Sequence, residues 1–382
     1  MSNQNFRFNI YGEGTGAIYK ENVIQNETTT PSSSSSTFLN TEVLRNQIES
    51  ITIEKNNIVP SDAKYSKDIS SKQDGSVMLW YTDKDNNNLY EVSIGSENGS
   101  LEANTNGSGM FSYLDNVDTL DLSGLDTSNM TSMSRMFYNS TSLKSINLSS
   151  FDTSKVVNMS YMFSGCNNLK DIDLSNFNTS KVTDMSRMFR DCNNINYINL
   201  LNFNTSNVTD MSSMFANCFA LLEVDLNNFD TSNVTDMRSM FFNCKNIKRL
   251  NLDSFNTNKV TNMGDMFNYY DSLIEVSLKN FNTNNVKSMI NMFNGCSNLM
   301  ILDLSSFDTS NVTSMKSMFS GNKKIETIYV SNLWTISNVN DSNSMFLDCK
   351  LLVGAVPFDK NKTDASMANY TNGYLTYKAS SN

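Results

Sequence analysis

The dipeptide Met-Phe returns every 26 residues, at Met110, Met136, Met162, Met188, Met214, Met240, Met266, Met292 and Met318, and once more at Met345 after a one-residue slip. Between these marks the text is nearly constant. "FNTSNVTDMSSMFANC" fills 203–218 and "FDTSNVTDMRSMFFNC" fills 229–244. A fixed period of this size means that each unit buries its apolar face only against its neighbours, so no unit folds alone. The repeats run from about Val117 to Cys349 of the 382 residues. That leaves room for one elongated core and an N-terminal region of roughly a hundred residues.

One unit, from Leu221 to Cys244, shows what each coil must do. Leu221, Val224 and Leu226 are apolar, with Glu223 and Asp225 set between them, a short strand with one buried side. Val234, Met237, Met240 and Phe241 then fall at the spacing of one apolar helix face, behind a "DTSN" whose short polar side chains suit a helix start. Strand, turn, short helix and return predict an α/β solenoid: a right-handed, leucine-rich-repeat-like array of about nine 26-residue coils, with a parallel sheet on one face and short helices on the other. Phe151, Phe177, Phe203, Phe229, Phe255, Phe281 and Phe307 form a further column, closed by Leu125 and Leu333. Pro31, Pro60 and Pro357 all lie outside the repeats, as a ladder that cannot spare N–H donors requires.

Composition narrows the chemistry. A net charge of -10 argues against nucleic acid and anionic membrane as partners, since both demand clustered Lys and Arg. The chain has no His, which removes the commonest general base and transition-metal ligand. We therefore expect no enzyme, no cofactor and no metal site. The N-terminal "MSNQNFRFNIYGEGTGAIYK" lacks a basic segment followed by an apolar one, and no run approaches eighteen apolar residues. No export signal and no membrane insertion are expected.

Three columns place a chemically active side chain in repeat after repeat. Cys166, Cys192, Cys218, Cys244, Cys296 and Cys349 share one repeat position. Stacking spreads them along a line, which suits small buried side chains and opposes both metal binding and disulfides. Asp121, Asp173, Asp225 and Asp303 alternate with Asn147, Asn199 and Asn251, predicting a hydrogen-bonded Asp/Asn ladder in preference to calcium ligation. Nothing distinguishes one repeat's carboxylate from another's as glycoside hydrolysis would require. The "NVT" sequons at Asn207, Asn233 and Asn311 recur because the repeat does.

Outside the repeats, residues 1–38 read as an N-terminal docking segment and a flexible linker, "ETTTPSSSSST". Residues 39–112 read as a β-rich cap, with a short helix near Leu44, a strand by Ile51, and strands near Val77–Tyr81 and Leu89–Ile94 joined by "DKDNNN". The solenoid occupies 113–349 and a C-terminal cap 350–382. Self-association through the short helix leaves a homo-oligomer open.

The recurring "F-[DN]-T-S-x-V-T-x-M-x-x-M-F-x-x-C-x-x-L" resembles the repeat of the BspA-like leucine-rich-repeat surface proteins of bacteria. "GSVMLWYTDKDNNNLYEVSIGSENGSLEANTNGSGMF" and "LLVGAVPFDKNKTDASMANYTNGYLTYK" resemble the segments that open and close such arrays. The resemblance implies a binding protein that acts outside a cell, often as an adhesin, and supplies no catalytic residues. One outward strand column changes chemistry from coil to coil: Ser145, Asp171, Tyr197, Glu223, Arg249, Glu275, Ile301 and Thr327. Asp171, Tyr197, Glu223, Arg249 and Glu275 are the candidate ligand contacts. The expected function is adhesion or receptor recognition of a host-surface glycan or protein, displayed on a phage or phage-like particle to which the N-terminal segment attaches. The alternative is a secreted or cell-surface bacterial adhesin.

Overall fold

The computed structural model describes residues 21–380; the start of the expected docking segment, residues 1–20, lies outside the described residues. The rest is a β-rich array of repeated units, each bridged in parallel to the next. The bridges step through Asn106, Ser132, Asn158, Asp184, Asp210, Asp236, Asn262, Ser288, Ser314 and Asp341.

The expected helices are not there. Among the described residues the only helical turns are two 3-10 segments, Arg45–Gln47 and Ala365–Met367. In the segment read as a helix, alternate backbone donors leave the repeat. Ser239 N–H donates to Gly264 O at 2.9 Å, Phe241 to Met266 O at 3.0 Å and Asn243 to Asn268 O at 2.8 Å. Between them, Met240 and Phe242 close local turns on Met237 O and Ser239 O. Ser239 (φ 57°) is the left-handed third residue of the Met237–Met240 turn and Asn243 (φ 56°) that of the Phe241–Cys244 turn, and each repeat supplies two such residues. The Asn243 column also holds Gly165, Gly295 and Gly321, where a positive φ costs least. An isolated helix of two turns is marginal in water, and bonds to a neighbouring repeat outcompete it. The Met and Phe spacing is therefore that of successive turns, and these side chains are still fully buried.

Stacking aligns the aromatic rings. From Phe111 to Phe346, one ring per repeat, neighbouring centroids lie 5.2 to 6.1 Å apart with planes within 21° of parallel. The "DTS" motif has two separate duties. Buried Thr231 donates its hydroxyl to Asn256 O at 2.9 Å and accepts from Asn256 N–H at 2.8 Å, replacing a backbone pair between repeats. Asp230 accepts from Ser232 N–H at 2.9 Å and fixes the turn. Both arrangements recur along the stack, as at Thr179 and Asn204.

The Asp/Asn strand column differs from the ladder expected of it. Asp173, Asn199, Asp225 and Asn251 each accept the N–H two residues ahead in their own repeat, at 2.9 to 3.2 Å. Only Asn147 and Asp121 link side chain to side chain across repeats in this column, at 2.9 Å. Asp and Asn interchange because both place an acceptor oxygen at that point.

The parallel sheet is also shorter than expected. Thr119–Asp121 pairs with Ser145–Asn147, Arg249–Asn251 with Glu275–Ser277, and Ile301–Leu304 with Thr327–Val330. Between the first pair and the second, the segments at 169–174, 195–200 and 221–226 form no strands. The turn ladder and the Thr bridges already hold those repeats, so strand pairing is not required for stacking.

The N-terminal region is built on a sheet, which includes one strand, Tyr65–Asp68, that the sequence reading did not expect. Strands β1 (Ile48–Glu54), β2 (Tyr65–Asp68), β3 (Val77–Thr82) and β4 (Tyr90–Ser96) form one sheet in the order β1-β4-β3-β2, with β1 parallel to β4 and the other pairs antiparallel. The Ser/Thr-rich run, however, is not a tether over 27–37. It packs on the cap: Glu27 pairs with the fully buried Arg45, and Thr37 bridges Leu44.

Arg45 solves a problem that every such ladder has at its first rung. In later repeats the carbonyls of Met136 and Tyr138 accept from Phe111 and Tyr113 of the repeat before. Met110 and Ser112 have no preceding repeat, and Arg45 Nη1 donates to their carbonyls at 3.1 and 2.8 Å and to Gly109 O at 3.2 Å. Burial pushes the Arg45 guanidinium down and the Glu27 carboxyl up, each partly offset by the other. At the far end Phe346 N–H finds Thr363 O, Thr376–Tyr377 extends the sheet beside Tyr329 and Val330, and Tyr374 closes the ring column edge-on to Phe346.

Two outcomes follow. Arg45→Met strands the Glu27 carboxylate and the first-rung carbonyls, and is expected to lower unfolding free energy by about 3–5 kcal/mol in urea titrations. Asp230 is held below the ordinary carboxylate value by the hydrogen bonds from Ser232. Its contribution is thus present above the unfolded pKa and lost as pH falls through the lower folded one. Asp230→Asn keeps the acceptor oxygen but not the charge, so it should lose a small part of the stability at pH 7 and lose less than the parent on acidification, read as urea midpoints at pH 7 and pH 3.

Candidate recognition surface

Alternation along each strand segment sets the surface. Ile172, Ile198 and Leu250 point into the core, so Asp171, Tyr197 and Arg249 beside them point out. Glu223 and Glu275 are likewise exposed. The five predicted contacts therefore share one face in five successive repeats.

That face is indented. A concavity of about 600 Å³ is lined by Tyr197, Glu223, Asp225, Arg249, Asp253 and Glu275. A second, of about 480 Å³, includes Lys170, Asp171, Asn196, Tyr197 and Asn199. Tyr197, half exposed, lines both and so joins them. Exposed Leu222 and Ile274 precede Glu223 and Glu275 in the chain and add apolar surface beside them.

Arg249 is not free on this face. Its Nε lies 3.1 Å from Glu275 Oε2, with both side chains about 70% exposed (72% and 68%). Such a pair contributes at most about 1 kcal/mol to stability, but it holds the guanidinium over one rim. Asp225 and Asp253 are engaged within the protein, Asp225 by Asn227 N–H and Asp253 by the Ser277 hydroxyl at 2.6 Å and Lys279 N–H at 3.1 Å. Glu223 has no hydrogen-bond or ion-pair partner among the described residues. The main chain adds donors too. Backbone N–H groups at 171–173, 197–199 and 223–225 make no backbone hydrogen bond, because no strand pairs there.

Sequence reasoning missed Asp253 and these main-chain groups. Asp253 follows the strand at a position that holds Ser149 or Ser175 in other repeats, which marks it as a departure. Nothing in the residue types announces the missing strand pairing.

Among the described residues no group of three or more His, Cys, Asp or Glu is placed to hold a metal ion. The six cysteines are free and buried. They are more than small apolar fillers: Cys166 Sγ donates to Phe137 O at 3.2 Å, and the same bond recurs from Cys192, Cys218, Cys244, Cys296 and Cys349. Ser140 and Asn322, which take the Cys position in two repeats, donate to Phe111 O and Phe293 O. Burial pushes the thiols of Cys166, Cys244 and Cys349 up to about 12. Iodoacetamide at pH 8 should therefore leave all six unlabelled in the folded protein and label all six in denaturant; rapid labelling of the folded chain would contradict the burial.

A family described as "Mycoplasma protein of unknown function, DUF285" matches three overlapping stretches, residues 105–220, 184–298 and 271–379. Together these run through the repeats and into the C-terminal cap, and the chain belongs to that family. No curated protein and no solved structure matches it.

Proposed function

We propose that this DUF285 chain is a non-enzymatic recognition protein, and that the indented strand-side face binds a glycan or protein on another surface. The observation that carries the reading is Tyr197, a half-exposed aromatic that joins two adjoining concavities on the strand-side face. Tyr and Arg are the residue types most often decisive at binding surfaces. Around Tyr197 the outward column changes chemistry at each repeat, whereas the buried columns hardly vary. Unpaired main-chain amides and the free Glu223 carboxylate add hydrogen-bonding capacity beside an apolar rim.

The parallel bridging of repeat to repeat supports the finer architectural reading: one continuous right-handed solenoid of about nine coils, of the BspA-like leucine-rich-repeat kind, with turns in place of its helices. For the setting, the family description refers to a bacterium, and this favours display on or secretion from a bacterial cell over display on a phage particle.

The Tyr197→Ser, Arg249→Ser double variant tests the face. Thermal unfolding should move by less than the equivalent of about 0.5 kcal/mol, because both sites are exposed. Binding to host cells or their envelope material should fall at least several-fold. Undiminished binding by the folded variant would remove this face from consideration. Antibody labelling of intact bacterial cells and of purified virions separates the two settings.

A further inference from the structure

The described chain has six arginines, and four meet a carboxylate: Arg45 with Glu27, Arg190 with Asp191, Arg238 with Asp236, and Arg249 with Glu275. Arg135 and Arg187 do not. Neither guanidinium has an acidic or hydrogen-bonding partner among the described residues, in a protein whose net charge is -10. Both instead lie over one tyrosine. The Arg135 guanidinium carbon is 4.9 Å from the centre of the Tyr161 ring, and that of Arg187 is 5.0 Å from it.

The three residues occupy one position in three successive repeats, where later repeats carry Ser213, Ser239, Asp265 and Asn291. That position has a left-handed backbone: φ is 56° at Arg135, 57° at Tyr161 and 58° at Arg187. Large side chains at such a φ are uncommon and carry a cost, which glycine or asparagine would lessen. Tyr138 and Tyr113 extend the cluster, with Tyr138 edge-on to both Tyr161 (5.8 Å) and Tyr113 (5.4 Å). The nearby carboxylate of Asp191 is occupied by Arg190 and by Asn217 Nδ2, so it does not neutralise the arginines. A guanidinium over an aromatic ring is held in place while its in-plane N–H donors remain available for a carboxylate or sulfate.

We propose that Arg135, Tyr161 and Arg187 form a second binding site, separate from the strand-side face, for an acidic polysaccharide. Each guanidinium lies about 5 Å from the shared ring, one from the repeat before and one from the repeat after, so the two charges are at most about 10 Å apart. A DNA strand carries a charge about every 3.4 Å, far denser than this pair, and its binding is built on many phosphate contacts. A sparsely charged polymer fits two isolated cations, and the partly exposed Tyr113, Tyr138 and Tyr161 add aromatic surface beside them against which sugar rings pack. Carboxylate- and sulfate-bearing polysaccharides present the same anionic chemistry to this site.

The test uses the full chain with heparin, polygalacturonic acid, neutral dextran and duplex DNA as separate probes, at one low salt concentration. The parent should bind heparin, polygalacturonic acid or both, the arms identifying sulfate or carboxylate as the anion, and should bind DNA and dextran at least ten-fold more weakly. Arg135→Gln with Arg187→Gln should weaken polysaccharide binding at least five-fold without shifting thermal unfolding. Arg135→Lys with Arg187→Lys should recover part of it, since charge returns without the planar fork. Lys259→Gln with Lys316→Gln, elsewhere on the surface, should bind as the parent does. Absence of polysaccharide binding by the parent, equal or tighter DNA binding, or full binding by the folded Gln double variant would each overturn the proposal. Because Tyr197 and Arg249 are untouched, failure here leaves the strand-side reading to its own test.

Discussion

Every repeat turns a row of backbone N–H groups toward the next, and the fold depends on each finding an acceptor there. The Met-Phe corner meets this demand with alternate donors, as in the bonds from Ser239, Phe241 and Asn243 to Gly264, Met266 and Asn268. Buried, unpaired backbone groups cost as much as a lost hydrogen bond or more, so the row must be complete. The buried Thr column supplies further partners where backbones do not meet directly, and the Cys thiols satisfy the Phe carbonyls. Where the row ends, something else has to stand in for a repeat. At one end it is the guanidinium of Arg45, and at the other the carbonyl of Thr363.

That division of labour frees the strand-side face. Because turn corners, threonines and stacked rings hold adjacent repeats together, the segments at 169–174, 195–200 and 221–226 can forgo strand pairing without the stack coming apart. Their outward side chains carry little structural duty, and the chemistry of Asp171, Tyr197, Glu223 and Arg249 differs from one repeat to the next. A scaffold fixed by one edge and variable on another is what a recognition surface requires. The Arg135 and Arg187 pair exploits a different position, the left-handed corner, where most repeats keep a small polar residue.

Much of this was legible in the sequence. The period, the cap hairpin around "DKDNNN" and the buried identity of the Met, Phe, Cys and Leu columns follow from spacing and residue type alone. The five strand-side candidates were legible as an outward column for the same reason. The helix was not, because apolar residues at i, i+3, i+6 and i+7 fit a chain of turns as well as a helix. The contrary signal lay beside them, in the column of Asn139, Gly165, Asp191, Asn217, Asn243, Gly295 and Gly321, residue types that tolerate a left-handed backbone. The role of Arg45 and the packing of the Ser/Thr run were hidden for another reason: each depends on contacts between segments distant in the chain, which no local pattern encodes.

Native-state hydrogen exchange, resolved residue by residue, tests the central claim most directly. The account predicts strong protection of the amides of Ser239, Phe241 and Asn243 and of their counterparts in neighbouring repeats, with far weaker protection at Glu223, Val224 and Asp225 on the strand-side face. Equal protection at 223–225 would mean that a closed strand ladder holds the repeats and leaves no free main chain for a ligand. Rapid exchange at Ser239, Phe241 and Asn243 would contradict the turn ladder itself.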